Sequence, residues 1–305
     1  MTKLLFDTGT CVIQQLESER FLKKGVAVAV LRVDKIHAIV SGNKLFKLHY
    51  FLKEAMLSSH KTVLTFGGAY SNHLAATAFA CNALGLQSVG IVRGEAAATL
   101  SPTLQQCISV GMQLKFVPRE QYRTQSAVAF ITQLKNEFGA CSIIPEGGYH
   151  PMGAYGAALM MERFDKEDYS HLCTAVGTAT TLAGLVLGCS DEQQVIGYSV
   201  LKGMTDIDER LSYLTNDSEK LQQVTMRNEY HFGGYAKKNK LLLNFMNACW
   251  QQHRLPLDFV YTAKMLYGIV EDIDKGFYPP GSSILCIHTG GLQGNNSLPP
   301  GTLLY

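Results

Sequence analysis

The stretch Ser41-Gly42-Asn43-Lys44-Leu45-Phe46-Lys47-Leu48 puts a lysine in the first turn of a helix. Leu45, Leu48, Leu52 and Met56 form the apolar stripe that predicts that helix over residues 44–57. The N-terminal end of a helix carries positive partial charge and disfavours a cation. Partial burial would act in the same direction and lower the ammonium pKa. A neutral amine there is a nucleophile toward aldehydes. The plainer alternative is a surface lysine at a poorly optimised helix start. Lys47, three residues on, is expected to be solvated and serves as the comparison.

Three further loops have the form of ligand sites, each leading from a strand toward a helix start. In FGGAYSNHLAATA (66–78), two glycines precede Ser71 and Asn72, which are candidate N-caps of an alanine-rich helix. In CTAVGTATTLAGLVLG (173–188), Gly177-Thr178-Ala179-Thr180-Thr181 joins a strand to a helix. Free backbone N–H groups and threonine hydroxyls at a helix start suit a phosphate. The turn matches neither the Walker nor the dinucleotide fingerprint, and with no lysine beside it a phosphate would be held mainly by dipoles. The third loop is IHTGGLQGN (287–295). Capping and turn formation account for each loop taken alone. An amine of lowered pKa together with a phosphate turn suggests pyridoxal 5'-phosphate, its aldehyde on Lys44 and its phosphate on residues 177–181.

The elements that must position these groups alternate strand and helix. Strand-like runs occur at 26–33, 62–66, 88–92, 114–117, 142–144, 173–176, 195–200 and 283–287. Helices are predicted near 44–57, 71–84, 101–110, 120–137, 153–163, 181–188, 237–252 and 262–274. The strands are short, β-branched and not alternating, as in a parallel sheet covered on both faces. The alternation breaks near residue 150, so two α/β units are expected, and 202–232 reads as polar and irregular with room for one helix.

Composition narrows the functional classes. With 305 residues and 47% apolar content the chain can bury a large core. A net charge of +2 from 27 basic and 25 acidic residues, without basic runs, points away from nucleic acid. No apolar run is long enough for a bilayer, and no secretory signal is read at the start. The 8 cysteines form no Cys-x-x-Cys pair and the 9 histidines no metal-binding pattern, so reduced thiols, a cytoplasmic setting and no metal are expected.

The residues then match a family. The segments RVDKIHAIVSGNKLFKLHYFLKEA, LTFGGAYSNHLAATAFACNALG, IIPEGGYHPMGAYGA, AVGTATTLAGLVLG and DFVYTAKMLYGIVEDIDKGFYPPGSSILCIHTGG occur in order and span nearly the whole chain. Together they resemble the 1-aminocyclopropane-1-carboxylate deaminase and D-cysteine desulfhydrase group of pyridoxal-phosphate enzymes, of the tryptophan-synthase-β-like fold. The resemblance implies two open, mainly parallel sheets with the cofactor in the cleft between domains. Residues 1–46 plus 151–305 would form the large cofactor-binding domain and 47–150 the small one. It also implies a homodimer acting on a small amino acid.

By position, Lys44 looks like the Schiff-base lysine and Asn72 like the partner of the cofactor's ring hydroxyl. Ser71, with the backbone N–H groups of Asn72 and His73, looks like the substrate-carboxylate site. Gly177, Thr178, Ala179, Thr180 and Thr181 look like the phosphate cup. Tyr261 matches a tyrosine near the pyridine ring, and Tyr235 a second one by its spacing. Thr262 follows Tyr261 where the cyclopropane deaminases carry glutamate; Thr262 or Thr289 would then face the pyridine nitrogen. A hydroxyl partner makes the ring a weaker electron sink, adequate for expelling thiolate. The resemblance therefore implies desulfhydrase-like α,β-elimination, with cyclopropane deamination, or phosphate-ligand binding without catalysis, as alternatives. Departures from the pattern are Ala179 and Thr180, expected to impose ordinary backbone angles on the turn, and Glu146 and Tyr149, expected near the site. The segment after HTGG is short, and 202–232 has no match.

Overall fold

The computed structural model describes residues 4–6, 11–37, 42–217 and 219–305, so Ser41 of the opening stretch lies outside the described residues. The chain begins β1 (Val12–Gln15), α1 (Glu19–Lys24), β2 (Ala27–Arg32) and α2 (Lys44–Leu57). It continues β3 (Thr62–Gly67), α3 (Asn72–Ala83), β4 (Gln87–Arg93), α4 (Pro102–Ser109), β5 (Met112–Val117), α5 (Arg119–Tyr122), α6 (Val128–Phe138) and β6 (Ser142–Ile144). Then follow α7 (Pro151–Ala158), β7 (His171–Val176), α8 (Thr180–Gly188), β8 (Gln194–Ser199), α9 (Ile207–Thr215) and β9 (Val224–Arg227). The last elements are α10 (Lys240–His253), α11 (Thr262–Asp274) and β10 (Ser283–Ile287).

Two sheets result. One has six strands in the order β1-β2-β10-β7-β8-β9, the other four in the order β5-β4-β3-β6. Among the described strands every ladder is parallel except β1 with β2. The expected pair of mainly parallel sheets is therefore present. The chain leaves the larger sheet after β2, builds the smaller one from contiguous sequence, and returns at β7. The residue pair 46/47, expected as a domain boundary, falls inside α2. Leu45, Phe46, Leu48 and Leu52 on that helix share one core with Val63 and Ile144 of the smaller sheet and Leu172, Val176 and Ile287 of the larger.

Several elements differ from expectation. The predicted helix 120–137 is two helices, because the polar stretch Arg123–Gln125 after α5 closes turns instead of continuing α5. The helix expected at 153–163 begins earlier, with Pro151 at its first turn and the His150 ring accepting from Met152 N–H, and tightens into a 3-10 helix over Leu159–Arg163. β1 and β9 are edge strands of four half-polar residues and carry little strand signature. All eight cysteines are buried and unpaired. Among the described residues no helix is long and apolar enough to cross a membrane.

Candidate active site

Four strands end at one place. Ser71 follows β3, Glu146 follows β6, Gly177 follows β7 and Thr289 follows β10. A cavity there is lined by Asn43, Lys44, Lys47, Asn72, Gly147, Ala175, the whole Gly177–Thr181 turn, Tyr261, Thr289 and Gly290. Lys44, Asn72, Gly177, Thr178, Ala179, Thr180, Thr181, Tyr261 and Thr289 are thus brought together. Ser71, His73, Tyr235 and Thr262 do not line the cavity.

Lys44 is the first residue of α2 and is half-buried. Burial lowers its ammonium pKa to about 8, with the Asp258 carboxylate pulling weakly the other way. Its Nζ donates to Asn43 Oδ1 at 2.7 Å, and Asn43 Nδ2 donates to Thr181 Oγ1 at 2.6 Å. Asn43, itself 2% exposed, therefore ties the amine to the start of α8. Its place directly before Lys44 is the local signal of this role.

Lys47 corrects an expectation. It is not solvated: it is 4% exposed, lines the same cavity, and its Nζ lies 3.4 Å from Gly147 O. Burial, and then the charge of Lys44, hold its pKa well below the usual lysine range. Residues three apart share a helix face, so the position of Lys47 followed from that of Lys44.

The turn corrects a second expectation. Ala179 does not use ordinary backbone angles; it is left-handed, with φ 67° and ψ −7°, at the N-cap of α8. A left-handed residue at a helix start can turn successive N–H groups toward one point. Thr178 Oγ1 and Thr180 Oγ1 stand 2.9 Å apart beside it. Gly177 carries no side chain because a Cβ would stand 3.2 Å from Tyr261 Cε1, tighter than ordinary packing. A side chain in the left-handed region costs about 1–2 kcal/mol. Replacing Ala179 with glycine removes that cost and, after the added unfolded-chain entropy, is expected to raise stability by roughly 0.5–1 kcal/mol. Thermal unfolding checks this, and a lowered midpoint would contradict it.

Ser71 caps α3, its Oγ accepting from His73 N–H and Leu74 N–H, both at 3.2 Å. Gly67 allows this approach, since a Cβ there would lie 2.5 Å from Ser71 Oγ. The His73 N–H is thus already engaged. Its ring is buried, with Nε2 on Thr65 Oγ1 at 2.9 Å, and burial lowers its pKa to about 3. Asn72 Nδ2 donates to Gly291 O at 2.8 Å, while its Oδ1 is buried without a partner.

Thr262 is fully buried and turned into a cap. Its Oγ1 accepts from Asp258 N–H and donates to Asp258 Oδ1, both at 2.9 Å. Asp258 also accepts from the N–H groups of Val260 and Tyr261 at 2.8 Å and of Thr262 at 3.0 Å. This buried carboxylate, absent from the residues chosen by sequence, sets the start of α11 and with it Tyr261. Tyr235 is 48% exposed, its hydroxyl 3.4 Å from that of Tyr261 and the rings edge-to-face. Glu146 accepts from Gln125 Nε2 at 3.1 Å without lining the cavity. Tyr149 does not line it either; its ring packs on Tyr213, with Arg210 over its face.

The sequence model described as pyridoxal-phosphate dependent enzyme matches residues 16–290. The chain belongs to that family. A putative 1-aminocyclopropane-1-carboxylate deaminase of Pyrococcus abyssi is 32% identical over 88% of this chain and 86% of its own. The bifunctional mitochondrial D-cysteine desulfhydrase/1-aminocyclopropane-1-carboxylate deaminase of Arabidopsis thaliana is 29% identical over 90% of this chain and 74% of its own. A crystal structure of an ACC deaminase homologue superposes with a TM-score of 0.80 at 27% identity, covering 96% of this chain and 93% of that one.

The family's cofactor fits the residues present. A buried amide oxygen without a partner on Asn72 is complementary to a hydroxyl donor. The left-handed turn with its threonine hydroxyls suits an anion, and Lys47 adds an amine donor at the cavity wall. An amine poised near neutrality is the group an aldehyde requires.

Proposed function

We propose that this family member is a lyase of the D-cysteine desulfhydrase type. It eliminates a β-substituent from a small amino acid and releases a 2-oxo acid and ammonia. From D-cysteine and water the products would be pyruvate, ammonia and hydrogen sulfide. The observation that carries the reading is a single cavity lined by Lys44, the Gly177–Thr181 turn, Asn72 and Tyr261.

Bound there, pyridoxal phosphate supplies an aldehyde carbon and an electron-withdrawing ring that makes the substrate Cα–H acidic. The protein groups do the rest. Residues 177–181 would hold the phosphate through N–H groups and hydroxyls, with the Lys47 amine as a further donor. Asn72 accepts from the ring hydroxyl. Ser71 Oγ, already accepting two N–H groups, keeps its own proton to donate to the substrate carboxylate, drawn there by the start of α3. Lys44, neutral over much of the range above about pH 8, takes the Cα proton. Tyr261 or Tyr235 protonates the departing group or gates its exit.

Substrate choice rests on the pyridine nitrogen. The hydroxyls of Thr262 and Thr289 are its candidate partners, and neither is a carboxylate. Thr289 lines the cavity, whereas the Thr262 hydroxyl is committed to Asp258. A weakly protonated ring suffices for thiolate departure and less well for opening a cyclopropane. The Arabidopsis relative is named for both reactions, so cyclopropane deamination stays as the second reading. The resemblance further suggests a cytoplasmic homodimer. It also suggests two working units, 1–46 with 151–305 and 47–150.

A panel of D-cysteine, L-cysteine, D-serine and 1-aminocyclopropane-1-carboxylate, read by 2-oxo acid formation, tests the proposal. D-cysteine is expected to give the highest kcat/KM. Bound cofactor without turnover of any of the four would instead support a binding protein.

A further inference from the structure

Tyr235 is half-exposed and sits on a loop with little regular structure of its own, yet its hydroxyl meets that of Tyr261. The loop runs against backbone preference. Phe232, Gly233, Gly234 and Ala236 all have positive φ, at 53°, 95°, 116° and 53°. Phe232 and Ala236 each carry the penalty of a side chain in that region, so contacts from outside must hold the loop in shape. Two do. The Phe232 ring stands edge-on to Tyr267 of α11 at 5.0 Å. Lys264, also on α11, donates from Nζ to Gly234 O at 2.7 Å.

Lys264 is costly where it is. It is 1% exposed and lies in the first turn of α11, where the helix dipole repels a cation. Burial lowers its pKa to about 8, opposed by the Asp258 carboxylate. Its hydrogen bond goes to the carbonyl immediately before Tyr235. The same helix start carries Tyr261 and is capped by Asp258. One helix turn therefore fixes both tyrosines, Tyr261 through the chain and Tyr235 through Lys264.

We propose that Lys264 is a positioning residue: its bond to Gly234 O holds the 231–237 loop so that the Tyr235 hydroxyl meets that of Tyr261, which lines the cavity. The part of this that concerns catalysis rests on the lyase reading above; the tether itself does not.

The test uses Lys264→Met, which keeps the stem and removes the donor, Lys264→Gln as a second variant should the first fold poorly, and Tyr235→Phe. Hydrogen–deuterium exchange is followed in the full-length protein. With the tether lost, amides of 231–237 should exchange at least about tenfold faster while α11 stays protected. In 2-oxo acid assays with D-cysteine, Tyr235→Phe and Lys264→Met should each lower kcat about 10–100-fold with KM changed less than about threefold. In the Tyr235→Phe background Lys264→Met should cost less than about twofold more, because it acts through that tyrosine. Unchanged exchange in the loop, or losses that multiply in the double variant, would overturn the proposal. Should the wild-type protein turn over none of the four amino acids, the lyase reading falls, and the exchange result alone decides the tether.

Discussion

Replacing Lys44 with alanine is expected to abolish 2-oxo acid formation, by at least about 10³-fold, since it removes the proposed cofactor anchor and the base together. Purified wild-type protein incubated with pyridoxal phosphate should be yellow, and borohydride should bleach the band and fix the cofactor to the peptide containing Lys44. The variant should not be labelled there. Labelling in the wild type should be half-maximal near pH 8, because burial lowers the amine pKa to about that value and only the neutral form reacts. The sign is set by the amine: labelling rises with pH and falls as Lys44 takes up its proton. Turnover near the wild-type rate in Lys44→Ala with cofactor bound would end the proposed scheme. Labelling at Lys47 instead would reassign the anchor within the same cavity, which both lysines line.

The second large effect is expected at Asp258. Its carboxylate is 1% exposed and receives three backbone N–H groups and the Thr262 hydroxyl. Alanine there would leave three backbone N–H groups without their acceptor, and the Thr262 hydroxyl with only the Asp258 O at 3.5 Å. At about 1–3 kcal/mol for each such donor, a loss of about 4 kcal/mol or more in unfolding free energy is expected. Chemical denaturation measures it. A loss under about 1 kcal/mol would mean that the start of α11 relaxes onto other acceptors. Activity should fall beyond what instability explains, because Tyr261 is placed by this cap and Lys264 lies three residues after it. Asn at 258 keeps one acceptor and should recover part of the stability.

Much of the site was legible because its parts are local. A lysine after Gly-Asn, a serine before an alanine-rich helix and a threonine-rich turn after a strand are each visible within five residues. Each marks a helix start, and in a parallel sheet those starts gather at one edge. What was missed depends on tertiary burial. Lys47 read as solvated because a lysine on a helix usually is; only packing against the 146–148 turn shows it enclosed. Ala179 read as ordinary because alanine avoids positive φ, and the turn overrides that preference. Asp258 and Lys264 serve as a cap and a tether, and neither leaves a spacing pattern in the sequence. The Thr262 hydroxyl suits a ring nitrogen by type, but it faces its own helix cap. The edge strands β1 and β9 escaped because four half-polar residues satisfy no periodicity test.

The order of strands has a consequence for how a nascent chain can acquire this shape. β10 lies between β2 and β7, so the middle of the larger sheet is supplied by a strand synthesised after every other described strand. Until it arrives, β2 and β7 each expose an unpaired apolar edge, a standing invitation to chaperones or to aggregation. The four-stranded sheet, built from one uninterrupted segment, can close much earlier during translation. Synthesis should therefore yield a half-formed particle whose smaller half is set while its larger half waits.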